Sequence, residues 1–212
     1  MEAIQLEAHN KDLIIVGAGG LGRILCDSFT QQGITISGFL DTRVEIIGKD
    51  YSGHKVLGSP LNFFNSNFQY ISAVGDPRLK YQLLNYLEKC QAHFYSSHYN
   101  TIGENITLDY GCFVTPGASI SHNVTIGKHV YIDTSVIVGH DVLIDDYCTI
   151  GAMVFIAGGV KIGPQVAIHP KATIAKGVKI GARAVIGIGS VVLWDVPEGK
   201  TVFGNPARVV AG

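Results

Sequence analysis

A chain of 212 residues, 47% hydrophobic and 16% charged, can bury one large core or two small ones, which excludes an intrinsically disordered protein. Its formal net charge of −1 supplies neither a basic field for nucleic acid nor a single-sign face for a membrane surface. Apolar runs such as Leu13 to Val16 and Ala184 to Ile188 fall far short of the roughly 18 residues of a membrane span, and no basic segment precedes a hydrophobic stretch at the start. A cytoplasmic address is therefore expected.

In chain order, Leu13 to Val16 reads as a short apolar strand, followed by Gly17-Ala18-Gly19-Gly20-Leu21-Gly22 and a helix to about Gln32. A second strand is predicted from Ile34 to Leu40, ending at Asp41, and a loop rich in Gly leads to a third at Tyr70 to Val74. Gly75-Asp76-Pro77 opens a helix from Arg78 to about Gln91, with Leu79, Leu83, Leu84 and Leu87 on one face. A last strand near Phe94 to Ser97 leads onward. Strands alternating with helices predict a small Rossmann-like α/β domain over residues 1–98.

The segment Gly17 to Gly22 matches GxGxxG between a strand and a helix, and Asp41 follows about twenty residues later. Such glycines let backbone N–H groups at a helix N-terminus approach a phosphate, and Asp41 could accept hydrogen bonds from a ribose or an amino group. Fewer than 100 residues hold about one mononucleotide-binding half, which speaks against NAD. A nucleotide-sugar diphosphate, no ligand at all, and a redox cofactor remain the three readings, in that order.

The second half has another period. From Ile102 in steps of six, through Leu108 and Val114 to Val192, every position is Ile, Val or Leu. Two residues earlier sits a generally small side chain, as at Cys112, Ala118 and Cys148, which is expected to let the chain turn tightly. Spacings of 3.6 or 2 fit neither pattern, whereas a coiled parallel β-structure fits both. Residues 99–212 thus resemble the hexapeptide-repeat acyltransferases, which implies a left-handed parallel β-helix. With three hexads per turn, the array makes about five coils of 18 residues. Cys26, Cys90, Cys112 and Cys148 lack metal-ligand spacing and read as reduced and structural; an acyl-cysteine role for Cys148 is the lesser alternative. No metal site is predicted.

Coil spacing also sorts the histidines. His140 follows His122 by one coil of 18 residues, and the next step in that column is Gly158; the neighbouring column holds Asn123, Asp141 and Gly159. A histidine beside a carboxylate, under a Gly-Gly step with no side chains, leaves room for a thioester. His140 is the candidate general base, Asp141 its orienting carboxylate and N–H groups near Gly158 the oxyanion contact, while His122 reads as a surface residue or inter-subunit contact, with a substrate contact as the alternative. The 18-residue row Ala152, Pro170 and Ile188 could follow the pantetheine arm of CoA, and Arg208 could meet a CoA phosphate or be a solvated cation of the tail.

Taken together, GAGGLG, Gly38-Phe39-Leu40-Asp41, Gly75-Asp76-Pro77-Arg78, His140-Asp141 within the unbroken hexads and the VFGNPAR ending resemble the sialic acid O-acetyltransferase family. That family includes bacterial N-acetyltransferases of nucleotide-linked amino sugars such as bacillosamine and perosamine precursors. The resemblance implies a homotrimer with active sites between subunits. It also implies transfer from acetyl-CoA to a nucleotide-linked amino sugar in surface-glycan synthesis, with His140 as base and Asp141 as its partner. It places Thr149, Pro170 and Ile188 on acetyl-CoA, and Gly19, Gly20, Leu21, Asp41, Thr42 and Gly75 on the nucleotide-sugar. Relatives commonly carry His where Leu21 stands and a second Asp where Thr42 stands. No loop interrupts the array between Ile102 and Val192, which assigns acceptor choice to the N-terminal domain. The competing readings are O-acetylation of a sialic acid, serine or other small hydroxyl acceptor, a non-catalytic nucleotide-sugar or metabolite sensor, and an NAD-linked enzyme.

Overall fold

A computed structural model describes residues 12–98 and 103–210. They fall into two compact units, one built from residues up to 73 together with 86–93, the other from 74–85 together with everything from 94 onward. Ile102, at the head of the hexad array, lies outside the described residues. Among the described residues no helix is long and apolar enough to cross a membrane.

In the first unit, strand β1 (Leu13–Val16) is buried along its whole length because it lies between two parallel neighbours, β2 (Ile36–Leu40) and β5 (Gln69–Ser72). A run of Leu, Ile and Val without alternation is what a strand covered on both faces requires. Helix α1 (Gly20–Gln31) returns over the sheet with Gly22, Leu25, Cys26 and Phe29 buried, the three- and four-residue spacing of an amphipathic helix. Gly22 is fixed by packing: a Cβ there would sit on the Gly17 carbonyl oxygen.

The stretch read as a Gly-rich loop holds two more strands. Parallel to β2 runs β4 (His54–Gly58), which forms a hairpin with β3 (Asp50–Tyr51) around Ser52-Gly53. Both turn residues have positive φ, 50° and 78°, as a tight two-residue hairpin demands. Ser-Gly announces such a turn less clearly than Asn-Gly, and β3 is too short to show alternation.

Helix α2 (Pro77–Lys89) starts where Asp76 Oδ1 accepts the Leu79 N–H at 2.7 Å. Leu83, Leu84 and Leu87 are buried as expected, but Leu79 is exposed and Lys80 takes the inward position. Lys80 Nζ donates to the carbonyls of His129 and Cys148, at 3.2 and 3.0 Å, and to Thr149 Oγ1 at 2.8 Å. Burial pushes this ammonium down to about 8, and the three acceptors are what make an interior cation tolerable. This anchoring explains why residues 74–85 group with the coils although their sequence reads as part of the α/β half.

The second unit is a three-faced parallel β-solenoid. Where one strand was predicted there are two: short β6 (His93–Phe94) is the edge of the α/β sheet beside β5, and β7 (Ser97–His98) begins the solenoid. Fifteen two-residue strands follow, β8 to β22, beginning every six residues from Thr107–Leu108 to Val191–Val192. Each pairs with the strand 18 residues on, as in Ile137↔Phe155, Thr125↔Leu143 and Thr149↔Ala167, so three hexads make one coil. The first face holds β10, β13, β16, β19 and β22, and the second holds β8, β11, β14, β17 and β20. The third, begun by β7, is closed by β23 (Thr201–Gly204) and antiparallel β24 (Ala207–Val209).

The second residue of each strand fills the core, as does the small residue two places before it. That small residue does not make the turn. The one preceding it does: at every sixth position from Asn105 to Gly189, φ lies between 56° and 82°. This left-handed conformation costs ordinary side chains about 1–2 kcal/mol each and least troubles Gly, Asn and Asp. The array accordingly places Asn105, Asn123 and Asp141 there, along with several glycines.

Candidate functional site

His140 follows β13 (Ile137–Val138) at the corner where the first face gives way to the second. The backbone here is clamped between coils, since Asp141 N–H donates to the His122 carbonyl at 3.2 Å and Gly159 N–H donates to the His140 carbonyl at 2.8 Å. As the 18-residue spacing predicted, His122 lies in register with His140, the rings stacked 5.8 Å apart at 14°. His140 Nδ1 is 2.7 Å from Asp141 Oδ2, and the two side chains are 48% and 54% exposed, open to a reactant.

The Asp141 carboxyl is held below the ordinary carboxylate range, first by its hydrogen bond with His140 and then by that from Asn123. An ionised carboxylate only accepts, so Nδ1 is the donor of this pair, and in the neutral ring the lone pair is then on Nε2. Gly158 lies against the imidazole: a Cβ there would come within 2.6 Å of Nε2, 2.7 Å of Cε1 and 3.0 Å of Cδ2, over the face of the ring. Among the described residues the Gly158 N–H donates to no backbone carbonyl.

The remaining positions expected on acetyl-CoA lie elsewhere on the chain. Pro170 and Ile188 follow β18 (Ala167–Ile168) and β21 (Val185–Ile186), at the corner where the third face gives way to the first, and Ile188 is 58% exposed. Thr149 begins β15 (Thr149–Ile150) on the third face, where its hydroxyl accepts from Lys80. Arg208 stacks its guanidinium over the exposed Trp194 indole, 4.4 Å from the ring centroid. His140 and Gly158 thus share one corner, while Pro170 and Ile188 share another. Cys148 is buried, its Sγ donates to the Gly163 carbonyl at 3.1 Å, and burial pushes its thiol up to about 12, so it offers no thiolate for an acyl-cysteine. Among the described residues no group of three or more His, Cys, Asp or Glu converges as a metal site would.

In the α/β unit, Gly19 precedes α1 and Gly20 opens it; neither would bring a Cβ within 4 Å of a neighbour, so the N-terminus of the helix is uncovered. Leu21 is half-buried, and Thr42 is exposed. Gly75, grouped with the other unit, is exposed three residues beyond β5. Asp41 is buried and fully engaged. Its Oδ2 accepts Ala18 N–H and Arg43 Nη2, both at 2.9 Å, and its Oδ1 accepts the Arg43 N–H at 3.0 Å and Nε at 2.9 Å. Its four acceptor positions are therefore taken, by a partner, Arg43, that no motif marks.

Burial works to raise the Asp41 carboxyl, but the Arg43 and Ala18 hydrogen bonds outweigh it and hold the group down at about 2. The stabilisation is present in full above the ordinary value of 3.8 and is lost as pH falls from there through about 2. Asp41→Asn should lower Tm at neutral pH, and its deficit against the wild type should shrink as pH is lowered through that window in a thermal-melt series.

Residues 12–87 match the PglD N-terminal domain, and residues 123–158 match bacterial transferase hexapeptide (six repeats). The chain thus joins a PglD N-terminal domain to hexapeptide repeats. No curated protein matches the chain in sequence. Among solved structures it is similar to perosamine N-acetyltransferase from Caulobacter crescentus in complex with CoA and GDP-perosamine, with 25% identity over 95% of this chain and 97% of that one and a TM-score of 0.85. The acetyltransferase domain of PglB from Neisseria gonorrhoeae, in complex with acetyl coenzyme A, is 24% identical over 94% of this chain and 99% of its own, with a TM-score of 0.83. WeeI from Acinetobacter baumannii shares the fold at 24% identity, 94% and 100% coverage, and a TM-score of 0.73.

Proposed function

We propose that this chain is an acetyl-CoA-dependent N-acetyltransferase whose acceptor is a nucleotide-linked amino sugar. The observation that carries the reading is the His140–Asp141 pair, half-exposed and with the imidazole ring lying against the bare Gly158 step. As the acceptor amine attacks the acetyl carbonyl, its proton passes to His140 Nε2 and the imidazolium is stabilised by Asp141. The negative charge gathers on the former carbonyl oxygen, which the Gly158 N–H can receive. Collapse of the tetrahedral intermediate breaks the C–S bond, and the proton held by His140 leaves with the CoA thiolate. Products are the N-acetylated sugar and CoA.

Likeness to an enzyme crystallised with CoA and GDP-perosamine supports both co-substrates. The uncovered start of α1 supports an anion site for the nucleotide diphosphate. Two features favour a homotrimer with sites shared between subunits. The first face exposes Ile137 and Phe155, 48% and 43%, an apolar stripe suited to another copy. The separate corners holding His140 and Ile188 suit a CoA bound between adjacent copies. No nucleic-acid or membrane partner is invoked.

The test is release of CoA thiol from acetyl-CoA against a panel of UDP-, dTDP- and GDP-linked amino sugars and the corresponding free sugars. Turnover is expected with one nucleotide-linked amino sugar and not with its free sugar. Turnover confined to hydroxyl acceptors, such as sialic acid or serine, would assign O-acetylation instead. Ligand binding with no transfer to any acceptor would assign a sensor.

A further inference from the structure

The hydrogen bonds at His140 continue past the pair legible in the sequence. Asp141 Oδ1 accepts Asn123 Nδ2 at 3.1 Å, and Asn123 Oδ1 accepts Asn105 Nδ2 at 3.2 Å. Three side chains, one coil apart, therefore form a file that ends on the carboxylate. All three occupy the positive-φ position of their hexads, at 57°, 56° and 58°. The backbone does not by itself demand asparagine there, since Ser135, Tyr147, Met153 and Gln165 stand at the same position in other hexads.

An amide file has a direction. With its carbonyl oxygen engaged by Asn105, Asn123 has only its NH2 to offer onward, and that group suits an ionised carboxylate. Asp141 Oδ1 is thereby held, and Oδ2 is left to His140 Nδ1 at 2.7 Å. Few other groups compete. His122, one coil earlier, has its Nδ1 3.3 Å from Ser121 Oγ, and the following coil offers Gly158 and Gly159, which carry no titratable side chain.

We infer that Asn123 is a positioning residue: by fixing the Asp141 carboxylate it keeps the His140 proton on Nδ1 and the lone pair on Nε2. The consequence for turnover rests on the reading of His140 as base, but the consequence for the tautomer does not. A ring whose Nδ1 partner swings free reverts towards the Nε2–H form, in which Nε2 has no lone pair to take the proton of an acceptor amine.

Two variants separate this role from a structural one. Asn123→Gly tolerates the positive φ and removes the amide, while Asn123→Asp keeps the shape and removes the donor. The first readout is the pair of imidazole 15N shifts of His140 in the free protein at a pH where the ring is neutral. The second is kcat and KM for acetyl-CoA. In the wild type the shifts should report Nδ1–H. In both variants the Nε2–H form should gain population, and kcat should fall about tenfold with KM for acetyl-CoA unchanged. Wild-type shifts in both variants would overturn the inference, as would an Asn123→Asp variant indistinguishable from the wild type. The 15N readout needs no turnover, so a chain inactive on every acceptor would still answer the positioning question while sinking the proposed reaction.

Discussion

Replacing His140 by alanine is expected to lower kcat for acetyl transfer by about 10²–10⁴-fold, the span that a positioned general base contributes. That corresponds to about 3–5 kcal/mol of barrier. The side chain is half-exposed and makes its hydrogen bond to another exposed group, so its loss leaves no buried partner unsatisfied. Thermal stability should therefore change little. KM for acetyl-CoA should also hold, because Pro170 and Ile188 stand at a different corner from the imidazole. Any rate left in the variant should come from the juxtaposition of the reactants and, on the proposed mechanism, from the Gly158 N–H. Stopped-assay rates of thiol release, measured at saturating acetyl-CoA and acceptor, decide the matter. A wild-type rate in the alanine variant would remove His140 from the reaction.

The solenoid was largely legible before any coordinates because its core is one-dimensional. Each strand supplies one inward aliphatic side chain, so the sequence must repeat every six residues or leave a hole, and the unbroken phase from Leu108 to Val192 meets that requirement. The same regularity put His122, His140 and Gly158 in one column, and the stacked rings and the close approach of Gly158 follow from it.

Features that depend on backbone dihedrals were less visible. The turn position is occupied by residues as different as Met153, Lys171 and Gly177, so no composition marks it, and the small core residue beside it drew the assignment instead. Lys80 was hidden by its chemistry. A lysine at a helix position flanked by leucines reads as a solvated charge, and only three acceptors spread over His129, Cys148 and Thr149, distant in sequence, make its burial possible. Asp41 was found at the right strand end, but its acceptor capacity depends on Arg43 folding back over two residues, a loop conformation that a motif does not encode.

Gly158→Ala is the sharper test of the site, because it leaves every polar group in place. The glycine has no positive φ, so the backbone accepts alanine without conformational strain. Its new methyl, however, would lie 2.6 Å from His140 Nε2, 2.7 Å from Cε1 and 3.0 Å from Cδ2, far inside van der Waals contact. Of the two neighbours, the ring is free to yield, being half-exposed, while Gly158 is held in the coil by the Gly177 N–H on its carbonyl. The imidazole must turn outward, and its 2.7 Å contact with Asp141 goes with it. A displacement on the order of 1 Å at a reacting nitrogen costs about 10²-fold in rate, whereas Tm should stay close to that of the wild type. The Asp141 carboxyl should rise back towards its ordinary range, since the His140 hydrogen bond is the largest cause of its depression. Loss of turnover together with an unshifted melt and a raised Asp141 carboxyl, followed by carboxyl 13C shifts, would locate the proton transfer at Nε2. Full activity in this variant would mean that the acceptor proton leaves by another route.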